Sequence, residues 1–270
     1  MTNAEKPETG EEMPERLKDY YSNPSYHRRV VVFCDVLGWR NHIAAAGNDP
    51  VKIGALRRVI VRLSRAISLR EQFALRLSTF SDNIAVTQPV GERTPLLLQQ
   101  MANFQLAAAM TGFFLRGGIT IGDVHHDSES VFGPGLNRAY ELESTVARSA
   151  RIVLDRDVRR EFGDLGDLAV EEDGVVFLDP FRREYIEFLD HGEILHTKEV
   201  LAAAGLPAAP VRYKLEGAKV LRIILETLKE QLRSPIADKE YGKVEWLFDR
   251  IAAQLGVPPA RSYPRIYPAT

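Results

Sequence analysis

Residues 29–39 read Arg29-Val-Val-Val-Phe-Cys-Asp-Val-Leu-Gly-Trp39, and the fold is built around this stretch. Val30 to Phe33 form an apolar, β-branched run, which is typical of a buried strand. Asp35 follows directly, and Gly38 allows the chain to turn tightly. A carboxylate at the end of a buried strand, beside a turn with exposed backbone amides, can hold a metal ion and a phosphate. The alternative is that Asp35 only caps the helix that follows.

Composition sets limits on the class of protein. The chain has 270 residues, of which 45% are apolar and 27% charged, and its net charge is −2. These values allow a sizeable core and argue against a nucleic-acid partner, which a strongly basic surface would recognise. A single cysteine, Cys34, excludes an intramolecular disulfide and a cysteine zinc cluster.

The sequence also predicts where the protein works. No segment approaches the roughly 18 uninterrupted apolar residues of a membrane span. The first residues, Met1-Thr-Asn-Ala-Glu-Lys-Pro-Glu8, lack the apolar core of a signal peptide. We therefore expect a cytoplasmic protein with no membrane partner.

The order of predicted elements gives the fold class. It runs β-α-α-β-β-α-β and predicts an α+β fold of ferredoxin-like type, an antiparallel sheet covered by helices on one face. We expect a flexible arm over residues 1–25, one domain over 26–190, and a helical extension over 191–270 packed on that domain. Late in the domain, 184–189 is predicted to be a strand. Gly117 and Gly118 would weaken their strand unless another part of the chain approaches its backbone closely.

A second carboxylate is predicted to meet Asp35. Residues 73–80 and 84–88 have strand character, and the polar turn between them carries Asp82. Such a hairpin pairs with the first strand, which would bring Asp35 and Asp82 to one rim of the sheet. Two adjacent carboxylates repel each other unless a cation lies between them, and Mg²⁺ and Mn²⁺ prefer these oxygen ligands. Ordinary turn chemistry is the alternative explanation for Asp82.

Two further stretches carry groups that could bind a ligand. The backbone amides of Val36, Leu37, Gly38 and Trp39 are predicted to donate to an anion beside the metal. The run His125-His126-Asp127 could suggest a metal site, but a hairpin bend with solvated side chains explains it equally well.

Four stretches together resemble the catalytic domain of class III nucleotide cyclases. They are Phe33-Cys-Asp-Val-Leu-Gly-Trp39, Ser78-Thr-Phe-Ser-Asp-Asn83, Leu115-Arg-Gly-Gly-Ile-Thr-Ile-Gly122 and Val131-Phe-Gly-Pro-Gly-Leu-Asn-Arg-Ala-Tyr-Glu-Leu-Glu-Ser144. The resemblance implies two Mg²⁺ or Mn²⁺ ions per site on Asp35 and Asp82, a phosphate-binding arginine at Arg116, and a ribose-orienting asparagine at Asn137. It also implies a homodimer with each site built across the interface.

The departures from the family pattern concern the base and the transition state. The family's base selectors fall on Arg76 and Ser130, a pair typical of neither adenylate nor guanylate cyclases. The family arginine that stabilises the transition state is replaced by Glu141, and the nearest arginine is Arg138. Either Arg138 or another cation substitutes, or the site is slow or inactive.

The unusual selectors, Trp39 and the long helical C-terminus resemble one branch of the family. This branch is the bacterial pyrimidine cyclases of the Pycsar anti-phage systems, which signal to a separate effector protein through cyclic UMP or cyclic CMP. Arg76 donates hydrogen bonds only, so the two carbonyls of uracil favour UTP over CTP. The alternatives are a purine cyclase with drifted selectors and a catalytically inactive dimeric sensor that binds a nucleotide.

Overall fold

The computed structural model describes residues 25–66, 75–163, 165–189, 216–233 and 238–264. The predicted arm over 1–25 therefore lies almost entirely outside the described residues. The predicted boundary at 190/191 and the first part of the C-terminal extension also lie outside them.

One sheet dominates the described part of the chain. Its strands are β1 (His27–Val36), β2 (Arg76–Phe80), β3 (Asn83–Pro89), β4 (Leu115–His126), β5 (Val131–Phe132), β6 (Ile152–Leu154), β7 (Ala169–Glu172) and β8 (Val175–Leu178). The strand order is β2-β3-β1-β4-β6-β8-β7, with β5 paired to β4. Only the β4–β6 pairing is parallel among these described strands. The predicted α+β class and antiparallel sheet are confirmed.

The α-helices of the described part lie between and after these strands. They are α1 (Trp39–Ala46), α2 (Pro50–Ala66), α3 (Thr94–Ala109), α4 (Pro134–Glu141), α5 (Arg156–Phe162), α6 (Arg183–Phe188), α7 (Gly217–Arg233) and α8 (Asp238–Leu255). A π-helical turn, Leu142–Val146, continues α4. Among the described residues, no helix combines the length and apolar character that crossing a membrane requires.

The two faces of the sheet are covered differently. On one face, alternate β1 residues such as Val30 and Val32 join the main core, which also contains Leu97 of α3, Ile224 of α7 and Phe248 of α8. Because strand side chains alternate, Val31 points to the other face, where it clusters with Ala139 of α4. The prediction of helices on one face only is therefore wrong, since α4 lies on the second face.

Helix α4 can approach the sheet because β4 contains glycines. A Cβ atom on Gly118 would overlap the Ala139 carbonyl oxygen and lie 2.6 Å from the Leu142 Cβ. One on Gly122 would lie 2.7 Å from the Gly135 Cα. The prediction that another part of the chain comes close to this strand is confirmed for Gly118.

We expect Gly118→Ala to lower the free energy of unfolding by about 1–3 kcal/mol, because the new methyl group meets backbone atoms that cannot move aside. Urea denaturation measures this change. Gly242→Ala is the matched control, because a Cβ at this helical site has open space around it. It should raise stability by about 0.5–1 kcal/mol. A Gly118→Ala protein as stable as the wild type would contradict the close packing of α4.

The predicted strand over 184–189 is wrong, because the chain forms helix α6 there. Tyr185 and Leu189, one helical turn apart, are both buried in the main core. The Tyr185 hydroxyl also donates a 2.6 Å hydrogen bond to Asn103 Oδ1 of α3. Six residues are too few for periodicity to distinguish a strand from a helix, and tertiary contacts at helical spacing determine the outcome.

Candidate functional site

The ends of β1 and β3 bring two carboxylates to one rim of the sheet. β1 and β3 are antiparallel neighbours, with Cys34 opposite Ile84. Asp35 is the next residue on β1, and Asp82 lies in the two-residue turn between β2 and β3. The register therefore places both acidic residues at the same end of neighbouring strands, where the sequence predicted them.

The rim is held in place by the chain that follows β1. Gly38 adopts a left-handed backbone with φ of 72°, which glycine tolerates at low cost, and starts helix α1. The Trp39 indole Nε1 then donates a 3.1 Å hydrogen bond to the Ser81 hydroxyl in the hairpin turn. This bond ties the start of α1 to the turn that carries Asp82.

Arg116 of β4 lies directly opposite Asp35 in the β1–β4 ladder. Its guanidinium donates from Nε to Asp35 Oδ1 at 3.2 Å and from Nη2 to Asp35 Oδ2 at 3.0 Å. Both side chains are largely buried, so this bidentate pair is shielded from water. The structure thus brings together the predicted metal ligand and the predicted phosphate-binding arginine.

Glu143, in the π-helical turn after α4, is a site residue that the sequence analysis missed. Its Oε1 forms an ion pair with Arg116 Nη2, and the side chain is only 4% exposed. Burial, and next the charge of Asp35, raise the pKa of Glu143 to about 7. A signal was present, because Gly135, Ala139 and Glu143 recur every four residues on the face that packs on the sheet.

The two carboxylates are of the ligand type that the predicted divalent ions prefer, and Arg116 pairs with one of them, Asp35. Asp35 and Asp82 supply hard oxygen donors, and Mg²⁺ is commonly held by one or two carboxylates together with substrate phosphates and water. Within the described ranges, no cluster of three or more His, Cys, Asp or Glu is arranged to hold a metal. Two carboxylates would leave the other positions of such an ion to substrate phosphates and water.

The predicted anion-binding amides need one correction. The Leu37 amide donates a 2.8 Å hydrogen bond to the Phe114 carbonyl and cannot serve a phosphate. Val36 is the last residue of β1 and pairs with Leu115. The amides of Gly38 and Trp39 lie at the start of α1, where helix geometry leaves N–H groups without intrahelical partners.

The two residues at the base-selector positions lie around one short segment, the tip between β4 and β5. Arg76 of β2 donates from Nη1 to the His126 carbonyl. The Ser130 amide and hydroxyl both donate to Asp127 Oδ1, at 2.7 and 3.2 Å. Arg76 and Ser130 therefore flank the same tip, as a shared role would require.

His126 fixes that tip against the sheet. The residue is buried, and its Nδ1 and Nε2 each form a 2.9 Å hydrogen bond, to the hydroxyls of Thr87 and Ser78. The prediction of solvated side chains is therefore wrong for His126. Neighbouring His125 instead forms a 2.7 Å hydrogen bond with Asp127 Oδ2 through Nε2.

We expect acid to destabilise the protein through His126. Burial, then the charges of Arg76 and Arg29, lower the pKa of His126 to about 4, and nearby Asp127 only partly offsets them. The unfolded chain, with a histidine pKa of about 6.5, binds a proton that the folded chain does not. Stability is therefore full above about pH 6.5 and is lost as the pH falls towards 4.

Denaturation at a series of pH values measures this loss. His126→Asn should have a shallower decline in unfolding free energy between these pH values, although it is less stable at neutral pH. The same substitution at exposed His27 controls for the general effect of acid. If the unfolding free energies of the wild type and His126→Asn decreased equally as the pH falls, the lowered pKa of His126 would be contradicted.

The predicted ribose and transition-state positions lie on α4. Asn137 is exposed to solvent. Arg138 donates to both oxygens of Asp155, at 2.8 and 3.0 Å, and to Glu141 at 2.9 Å. Asp155 also accepts a 2.9 Å hydrogen bond from Thr120. Arg138 is therefore held in a structural network, which weighs against it as the substitute for the family arginine.

Comparison with known proteins gives fold-level similarities only. No protein-family model matches the chain, and no curated protein matches it. Among solved structures, the guanylyl cyclase Cya2 aligns with a TM-score of 0.45 and 16% identity over 58% of this chain and 93% of its own. The adenylyl cyclase CyaB from P. aeruginosa aligns with a TM-score of 0.43 and 12% identity over 57% of this chain and 94% of its own. A bacterial light-regulated adenylyl cyclase aligns with a TM-score of 0.45 and 12% identity over 60% of this chain and 54% of its own. Similarity at this level assigns no activity.

Proposed function

We propose that this protein is a nucleotide cyclase, which converts a nucleoside triphosphate to the 3′,5′-cyclic monophosphate and pyrophosphate. The observation that carries the proposal is one rim of the sheet. Asp35 near the end of β1 and Asp82 just before β3 lie there on neighbouring strands, and Arg116 pairs with Asp35. Carboxylates for divalent ions beside a cation for phosphate suit phosphoryl or nucleotidyl transfer. The four matching sequence stretches give the same reaction class.

Each residue has a chemical task in this proposal. Two Mg²⁺ or Mn²⁺ ions held by Asp35 and Asp82 would lower the pKa of the ribose 3′-hydroxyl and neutralise the triphosphate. Arg116 stabilises negative charge on the phosphates, and the amides of Gly38 and Trp39 add donors at the start of α1. Asn137 orients the sugar so that its hydroxyl faces the α-phosphorus.

A homodimer completes the proposed site. Arg76 lies two strands away from Asp35. Thr87 pairs with both Arg76 and Val31, so Arg76 is level with Val31 across the sheet. Val31 is four residues from Asp35 on β1, which separates Arg76 from Asp35 by about 14 Å along the strand direction. In a twofold-symmetric dimer, the part of the sheet that carries Arg76 in one copy would face the rim that carries Asp35 in the other copy. Such an isologous arrangement has two equivalent sites.

Two exposed aromatic side chains support a dimer through the face that carries α4. Tyr140 belongs to α4 and is 56% exposed. Phe80, which is 82% exposed, is on the same face of the sheet as Val31, by the pairing of β2 with β3 and of β3 with β1. Aromatic residues are enriched in protein–protein interfaces.

The proposed substrate is a pyrimidine nucleotide, with UTP favoured over CTP. Arg76 carries only donors, and one of its Nη1 hydrogens is directed to the His126 carbonyl. The remaining donors suit a base with carbonyl acceptors, of which uracil has two. A role in anti-phage signalling through a separate effector protein follows from the sequence resemblance alone.

Incubation with each of the four NTPs separately, in the presence of Mn²⁺, tests the proposal by mass spectrometry of the products. Cyclic UMP as the main product is expected. Cyclic AMP or cyclic GMP as the main product would keep the reaction and overturn the pyrimidine assignment. No cyclic product from any NTP would overturn the reaction.

An inactive nucleotide-binding sensor is the second candidate. Glu141 stands where the family has its transition-state arginine, and Arg138 is engaged by Asp155. Tight nucleotide binding without release of pyrophosphate would favour this function.

A further inference from the structure

Arg116 is shared by two carboxylates from different elements. It makes two hydrogen bonds to Asp35 of β1 and an ion pair with Glu143 of the π-helical turn. The same atom, Nη2, contacts both acids. One guanidinium therefore lies between two largely buried carboxyl groups.

This arrangement conflicts with cation binding at Asp35. Arg116 occupies both carboxylate oxygens of Asp35, and its positive charge repels an approaching metal ion. A divalent ion binds Asp35 more strongly when the guanidinium moves away, because the two cations then no longer compete for one carboxylate. The buried guanidinium then needs another carboxylate, because an unpaired buried charge is strongly unfavourable.

We infer that Glu143 is a positioning residue. It holds Arg116 in the site when a divalent cation replaces Arg116 as the partner of Asp35. This inference rests on the proposed function. Arg116 would pivot between its two partners without leaving the site, and the remaining N–H groups would then be directed to the incoming phosphates. Cation binding and phosphate binding are thereby coupled through one side chain.

The fold holds Glu143 firmly enough for this task. Its backbone amide lies 3.1 Å from where a Cβ on Gly118 would be, so the π-helical turn packs tightly on β4. Gly118 and Arg116 lie two residues apart on the same face of β4. The same strand therefore positions both the π-helical turn, which packs on Gly118, and the Arg116 side chain.

Mn²⁺ binding, measured without nucleotide by electron paramagnetic resonance of the unbound ion, tests the inference in mildly alkaline buffer. Arg116→Gln removes the competing charge and should bind Mn²⁺ about tenfold more tightly than the wild type. Glu143→Gln should bind it several-fold more weakly, because Arg116 then has Asp35 as its carboxylate partner.

Glu143→Asp tests whether Glu143 acts by contacting Arg116 or only through its negative charge. It keeps the negative charge but shortens the side chain by one methylene, which withdraws the carboxylate from Arg116. The positioning role predicts weakened Mn²⁺ binding, as in Glu143→Gln. Exposed Glu141→Gln, two residues away, is the control and should bind Mn²⁺ as the wild type does.

The outcomes distinguish this inference from the proposed function. Wild-type Mn²⁺ affinity in Glu143→Asp, or in Arg116→Gln and Glu143→Gln together, would overturn the inference and leave the cyclase proposal intact, provided that Asp35→Asn abolishes Mn²⁺ binding. A wild-type protein that binds no Mn²⁺, with or without nucleotide, would overturn the proposed metal site and the inference with it.

Discussion

Replacing Asp35 or Asp82 by asparagine should abolish formation of cyclic nucleotide, with a loss of at least about a hundredfold in turnover. Asparagine keeps the size of each side chain but removes the charge that a divalent ion requires. Asp82→Asn is the cleaner variant, because asparagine is equally suited to a turn. Asp35→Asn also removes the carboxylate that pairs with Arg116. Product analysis with Mn²⁺ and UTP measures both.

The control for this experiment is Asp157→Asn on helix α5, where a half-buried carboxylate pairs with Arg160, away from the proposed site. It should retain wild-type turnover. Circular dichroism and gel filtration must show that the two site variants keep the fold and oligomeric state of the wild type. Full turnover in either folded site variant would remove the basis of the proposed metal site.

Strong local patterns made much of the fold predictable. The β-branched run of β1 and the polar turn at Asp82 determined the pairing of three strands, and with it the meeting of two carboxylates. These features depend on residues close in sequence or on one strand register, so the sequence alone carries the information.

What the sequence analysis missed depends on packing between distant segments. Whether 184–189 forms a strand or a helix is settled by contacts of Tyr185 with α3, and periodicity over six residues is ambiguous. Glu143 contacts Arg116 only because α4 lies on the second face of the sheet. His126 is buried only because the β4–β5 tip folds against Thr87 and Ser78.

Mixing two inactive variants should restore activity if each site is shared between two copies. Asp35→Asn removes the proposed metal ligand of one copy, and Arg76→Ala removes the proposed base contact that the other copy supplies. After subunit exchange, half of the dimers carry one variant of each kind, and one of their two sites is intact. A 1:1 mixture should therefore recover about a quarter of the wild-type turnover.

The matched control is a mixture of Asp35→Asn with Asp82→Asn. Both residues belong to the metal rim of the same copy, so every site in a mixed dimer keeps one defect and no activity should return. Recovery in the first mixture and its absence in the second can arise only from sites built across an interface. Turnover in the first mixture that stays at the level of the separate variants would contradict the shared site. A protein that light scattering shows to be monomeric with substrate bound would contradict it as well.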